Sequence, residues 1–246
     1  MPSYNGEKYI GRSINNFLSQ EYPNKELIIV DGKSTDRSHA IIQSFVEKNK
    51  NIIWLKYPDK GISSALNIGL EKVSGDIIGY LGSDDILSPD IFGTINDYAN
   101  KTDFDAIYFD SYNFIASENK TTFRKCPNME FNRKNLLKYG TMVGMQDMFF
   151  KKHVFLKYKF DEENKYSLDY EFYLKISKEN YKYLYVPVPA TTHIFDNNIS
   201  TDADGKQMRE ASEVFKKYAH WYERHYQFTK KMRGYFKKIL LMLKFQ

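Results

Sequence analysis

Three short runs of mostly β-branched residues punctuate the first half of this chain at near-even spacing: Leu27-Ile28-Ile29-Val30, Ile52-Ile53-Trp54-Leu55 and Ile77-Ile78-Gly79-Tyr80-Leu81. Between them apolar residues recur at helical intervals, first Ile10, Ile14, Phe17 and Leu18, then Ala40, Ile41 and Phe45, then Ala65, Leu66 and Leu70. Buried strands alternating with amphipathic crossover helices predict an α/β fold on a mostly parallel sheet. With 246 residues, 42% hydrophobic and 16% aromatic, the chain has the apolar surface for a full core.

Ligands of open α/β sheets sit outside the carboxyl ends of the strands, and each run here ends in acids or polar loops. Asp31 follows the first run, Asp59-Lys60-Gly61 the second and Asp84-Asp85 the third. Asp and Gly favour turns in any single loop, but three loops in register point to one site. Adjacent acids repel, and hydrogen bonds, partial protonation or a cation must relieve them, so Asp84-Asp85 is a place to hold a metal. Ser34 is expected to cap the next helix, with Asp36 in its first turn.

A unit of this kind opens with a strand, yet Met1-Pro2-Ser3-Tyr4-Asn5-Gly6 leads directly to a helix. Residues 2–6 read as the loop after such a strand. Met1 is then the last residue of a first strand that is otherwise missing, as from a truncated or misassigned start. Beyond about residue 106 the pattern is less regular. Strands are expected at Ala106-Ile107-Tyr108-Phe109, Met148-Phe149-Phe150 and residues 183–186, with a helix over 168–177. Residues 206–243 read as helical, broken at Gln227-Phe228-Thr229.

The single cysteine, Cys126, excludes an internal disulfide and, with no Cys/His cluster beside it, argues against zinc. No apolar run is long enough to span a bilayer, and the N-terminus lacks a signal-peptide pattern, so the expected location is cytoplasmic. The net charge of +5 is local, crowding the last thirty or so residues. There Lys230, Lys231, Arg233, Lys237 and Lys238 interleave with Met232, Tyr235, Phe236, Ile239 and Leu240. Such a helix suits the inner face of an anionic membrane as a peripheral anchor, and equally suits packing on the domain with its lysines solvated. No nucleic-acid module accompanies the charge.

Six ordered motifs then carry a resemblance. They are Pro2-Ser3-Tyr4-Asn5, Ser19-Gln20-Glu21-Tyr22-Pro23, the stretch from Ile29 through Asp31-Gly32-Lys33-Ser34-Thr35-Asp36, Asp59-Lys60-Gly61-Ile62, Ala65-Leu66-Asn67-Ile68-Gly69, and Gly75-Asp76 through Asp84-Asp85. Together they resemble the family 2 glycosyltransferases over roughly residues 2–200. The resemblance implies the A-type glycosyltransferase fold, a Rossmann-like sheet flanked by helices. It implies a catalytic domain at 1–205, with a nucleotide-binding half at about 1–105 and an acceptor half at about 106–205, followed by a helical basic extension at 206–246.

By that resemblance, Asp31 accepts the imide N–H of a uridine nucleotide. Pro2, Ser3, Tyr4 and Asn5 line the same pocket, and Asp59, Lys60 and Gly61 lie near the nucleotide or its pyrophosphate. Asp84 and Asp85 become the ribose and metal acids, with Mn²⁺ or Mg²⁺ bridging them to the diphosphate of a nucleotide sugar. Gly82 stands where many relatives carry another acid or an asparagine. Asp169 is the candidate base, with Glu171 in reserve, and Met145 replaces a frequent histidine. His193 is placed near the diphosphate or metal. The implied activity is inverting, metal-dependent transfer of a hexosyl type, from a UDP-sugar to a glycan or lipid-linked acceptor in surface polysaccharide synthesis. The competing readings are a catalytically weak nucleotide-sugar-binding or scaffold subunit, motivated by Gly82, Met145 and the missing first strand, and a sugar-phosphate nucleotidyltransferase, whose Gly-rich phosphate loop is lacking.

Overall fold

The computed structural model describes residues 1–57, 61–127, 129–196 and 205–226. Asp59, Lys60, the segment 197–204 and the basic segment 227–246 lie outside the described residues.

The first layer is a three-stranded parallel sheet in the order β1-β2-β3. Its strands are β1 (Pro2–Ser3), β2 (Leu27–Asp31) and β3 (Ile52–Lys56), joined through helices α1 (Ile10–Leu18) and α2 (Ser38–Val46). Every residue of β2 is buried, as a strand covered on both faces requires. Ile29 packs with Ile10, Ile14, Phe17 and Ile42 on one side, while Ile28 and Val30 meet Ala65 of α3 (Ile62–Leu70) on the other. Pro2 pairs with Val30 and Ser3 with Asp31. These two residues therefore stand in the first-strand position and not in the loop that the sequence suggested.

The second layer is a mixed six-stranded sheet in the order β4-β8-β6-β9-β5, with β7 on β6. Its strands are β4 (Ile77–Gly79), β5 (Ile86–Leu87), β6 (Ala106–Ile115), β7 (Lys120–Arg124), β8 (Met148–Lys151) and β9 (Tyr183–Phe195). Helix α4 (Ile91–Lys101) leads into β6. The third run of the sequence thus forms a shorter strand that pairs antiparallel with β8, Ile77 opposite Lys151. Gly79 permits that approach, since a Cβ there would lie 2.4 Å from the Phe149 ring. Strands β6 and β9 run parallel well beyond the apolar runs that announced them, with Asn113 opposite His193.

Helices α5 (Arg133–Tyr139), α6 (Lys152–Lys157) and α7 (Leu168–Ile176) cover this layer around an aromatic centre, where Phe160 and Phe172 stack at 4.7 Å. Helix α8 (Lys206–Tyr218) adds Val214 and Phe215 to the same core. The chain breaks at Ala219-His220, earlier than the sequence suggested, and makes a short 3-10 turn at Trp221–Glu223. Arg133 clamps that turn with two 2.7 Å bonds to Glu223. A slot of about 1060 Å³ opens between the layers, lined by Met1, Val30, Gly79 and Leu81 among others, but not by Asp84, Asp85 or Asp169.

Candidate active site

Asp31 ends β2 with no solvent exposure. Its Oδ1 accepts the Ser34 N–H at 2.8 Å and lies 2.8 Å from His39 Nε2, while Oδ2 accepts the Ser34 hydroxyl at 2.6 Å. Ser34 is therefore spent on Asp31 and not on a helix cap. Helix α2 starts at Ser38, whose N–H is taken by Asp36 at 2.9 Å. Ser34 Oγ also accepts the Asn5 N–H at 2.8 Å, and Asn5 Oδ1 accepts the Thr35 N–H at 2.9 Å. Asn5 holds a left-handed backbone, φ 49°, which asparagine tolerates.

This clamp sets the loop that follows β1, Tyr4 and Asn5, against the loop after β2. Ser3 is 4% exposed with its hydroxyl unpartnered among the described residues, whereas Tyr4 is exposed. An orphaned buried hydroxyl fits a bound polar ligand. Between Asp31 and solvent stands His39, partly exposed and edge-on to Trp54 at 5.4 Å. Nothing in the local sequence marked His39, because a histidine inside an amphipathic helix reads as surface. Gly61 opens α3 at φ 120°, a conformation side chains resist.

Asp84 and Asp85 lie between β4 and β5, and helix α1 holds their backbone. Ser13 donates to Ser83 O at 3.0 Å and Asp85 O at 2.8 Å, and Arg12 donates to Asp84 O at 3.1 Å. A Cβ on Gly82 would meet Asp85 Oδ2 at 2.5 Å and Asp84 Oδ1 at 3.0 Å. The two carboxylates fill the space that a side chain at 82 would take. Asp85 is 3% exposed, and burial pushes its carboxyl up to about 6, with Asp84 and Asp147 adding to the rise and His193 and a Gln146 hydrogen bond opposing it. The loop after β1 abuts this one, since a Cβ on Gly6 would touch Ser83 Oγ at 3.5 Å.

Asp169 occupies the first turn of α7, half-buried, its Oδ1 accepting the Tyr170 N–H at 2.7 Å. Burial among the surrounding walls pushes its carboxyl up to about 6, against the pull of that bond and of Arg124. Burial, then the charges of Asp85, Asp84 and Asp169, push the Tyr80 hydroxyl far above the usual range. The sequence hid Tyr80 as one more strand aromatic. His193 is 8% exposed, its Nε2 3.1 Å from Asp147 Oδ2, and its charge acts on Asp85.

Glu171 is placed elsewhere. It is 1% exposed, accepts Lys217 at 2.8 Å and Tyr218 at 3.1 Å, and ties α7 to α8 instead of reaching the acids. Met145 is buried in the second core, its sulfur 4.0 Å from the Tyr173 hydroxyl. Among the described residues no three His, Cys, Asp or Glu side chains gather as a ready-made metal cage. Asp84 and Asp85 are hard oxygen donors of the kind that a divalent ion takes.

The profile of the family described as Glycosyl transferase family 2 matches residues 1–159. An uncharacterized glycosyltransferase of Rickettsia typhi is 26% identical over 214 residues, 82% of this chain and 65% of that protein. Residues 1–349 of S. aureus TarS, in complex with UDP, superpose with TM-score 0.68 at 17% identity, over 92% of this chain and 66% of that one. The mannosyltransferase PcManGT of Pyrobaculum calidifontis, in complex with GDP-Man and Mn²⁺, gives TM-score 0.58 at 17% identity, over 80% of this chain and 56% of that one. These likenesses show the A-type glycosyltransferase fold. The chain spans 56% to 66% of the length of these three proteins.

Proposed function

The chain belongs to glycosyl transferase family 2, and on that footing we propose that it moves a sugar from a UDP-linked donor to a hydroxyl of a glycan or lipid-linked acceptor in surface polysaccharide synthesis. The observation that carries this reading is the acid pair Asp84-Asp85, its backbone held by Ser13 and Arg12 of α1 and its loop set against the one that carries Asn5 and the Asp31 clamp.

Asp169 takes the proton of the acceptor hydroxyl. A carboxyl titrating near 6 is mostly ionised at neutral pH yet more basic than an ordinary aspartate, as a general base should be. Attack from the side opposite the diphosphate inverts the anomeric carbon in a single displacement. Asp84 and Asp85, with His193, would hold Mn²⁺ or Mg²⁺. Such an ion supplies Lewis-acid neutralisation of the departing diphosphate. Asp31 Oδ2 keeps a lone pair after its bond to Ser34, which suits the imide N–H of uracil, and the Ser3 hydroxyl waits in the same pocket. The UDP seen in TarS and the Mn²⁺ seen in PcManGT support these choices.

Among the described residues no helix is long and apolar enough to cross a membrane. The basic segment, residues 228–245, is proposed as a peripheral anchor on the inner, anionic membrane face. A thermal-shift screen of nucleotide sugars with and without Mn²⁺, followed by donor hydrolysis, tests the reading. UDP-sugars should give the largest shift, and only with metal. Equal shifts for all nucleotides without metal would reject it, and binding without turnover would favour the scaffold subunit.

A further inference from the structure

The turn Trp221–Glu223 holds two aromatic rings in water: Trp221 is 81% exposed and Tyr222 57%. Large rings are usually buried for the apolar area they carry, and nothing about this turn is loose. Behind the rings Glu223 is buried and takes both ends of the Arg133 guanidinium at 2.7 Å. Glu223 also accepts the His220 N–H at 2.8 Å, and Arg133 Nη2 donates to Tyr218 O at 2.8 Å. Tyr222 stacks on His220 at 5.3 Å, and Trp221 stands edge-on to Tyr222 at 5.8 Å. The clamp thus ties the turn to α5 and keeps the rings from folding back onto the domain.

Charge says what such a surface meets. Glu223 is the only Asp or Glu between residues 214 and 246, against nine Lys and Arg, and its charge is spent on Arg133. Beside the rings, His220, Arg224 and His225 are exposed. Rings and cations without an exposed acid repel a second copy of the same surface, as a two-fold pairing would require. Single-stranded nucleic acid stacks on rings among cations, but the sequence that follows mixes its cations with Met, Ile and Leu, which suit acyl chains and not bases. Trp and Tyr, apolar with one polar end, settle at the boundary between headgroups and acyl chains.

We propose that Trp221 and Tyr222 form an interfacial aromatic anchor that enters the headgroup boundary of an anionic bilayer, with the surrounding cations on the lipid phosphates. This deepens the peripheral anchor proposed above and rests on it, moving part of the membrane contact from the basic segment to the folded domain. Because Arg133 fixes the turn to α5, the anchor also sets how the domain is oriented on the surface.

The chain has two tryptophans, so Trp54→Phe leaves Trp221 as the only indole of the full chain. In buffer its emission should be that of a ring in water, open to acrylamide. Vesicles of equal parts phosphatidylglycerol and phosphatidylcholine should shift the emission to the blue, and lipids brominated on their acyl chains should quench it. Replacing both rings, Trp221→Ala with Tyr222→Ala, should weaken co-sedimentation with these vesicles by about 10- to 100-fold while leaving the melting temperature in place. Vesicle-bound protein whose Trp221 emission does not move overturns the proposal and leaves the basic segment as the anchor. No co-sedimentation of the unsubstituted chain refutes the anchor and the proposal together. The proposal also falls if the ring is already shielded in buffer, if a uridine oligonucleotide moves the emission and vesicles do not, or if the double variant loses a dimer in analytical ultracentrifugation. These three results assign the surface to the chain's own tail, to nucleic acid and to a second copy.

Discussion

Asp85 and Asp169 are both carried to about 6 by burial, and that shared shift has a pH signature. Between the unfolded value near 4 and the folded value near 6, the native state holds more protons than the unfolded chain, so stability falls as pH rises through that window. A divalent ion on the ionised pair offsets the loss. Mn²⁺ with UDP should therefore raise the melting temperature more at about pH 7.5 than at about pH 5, which calorimetry at both pH values checks. Asp85→Ala should abolish metal-dependent UDP binding by titration calorimetry. Asp169→Asn should keep donor affinity while losing transfer, by about two to four orders of magnitude in kcat. His39→Phe keeps a ring against Trp54 but drops the bond to Asp31; a loss of about 1 kcal/mol in UDP binding is expected. Asp31, Asp84 and Asp85 were legible because each follows an apolar run, and Asp169 only through the family resemblance. His39 and Tyr80 were not, because each matters through a neighbour distant in sequence.

At the scale of elements, the helix that carries Asp169 is anchored from behind. Glu171 takes Lys217 and Tyr218 from α8, and Lys217 also reaches Asp161 at 3.0 Å. Glu171→Gln should cost about 1–2 kcal/mol in denaturant unfolding while leaving donor hydrolysis unchanged, since the residue touches α8 and not the acids. Retained stability with lost turnover would return Glu171 to the chemistry. The β4–β8 contact gives a second test of packing. Gly79→Ala would drive a methyl into Phe149 and should destabilise by about 1–3 kcal/mol. The helices of the first half were readable from their periodicity. The long reach of β6 and β9 was not: Ser111-Tyr112-Asn113-Phe114 does alternate polar and apolar, but Pro187 and Pro189 interrupt the second strand, and only the folded sheet pairs Ser111 with Thr191 and Asn113 with His193.

At the scale of the molecule, the site forms where the two layers meet. The loop after β1 touches the acid loop, and Asp196, just beyond β9, is held by Lys8 and Tyr9 at the start of α1. Deleting residues 228–246 should release the protein from anionic vesicles in a sedimentation assay; continued co-sedimentation would place the anchor elsewhere. Local pattern was enough for the α/β alternation, the strand ends and the acids that cap them, because period and turn chemistry are properties of neighbouring residues. The antiparallel partner of β4, the carboxylates folded over Gly82, the diversion of Glu171 to α8 and the Asp147–His193 pair needed the folded chain. Each is a contact between segments far apart in sequence, and packing and charge select such contacts only once the layers have closed.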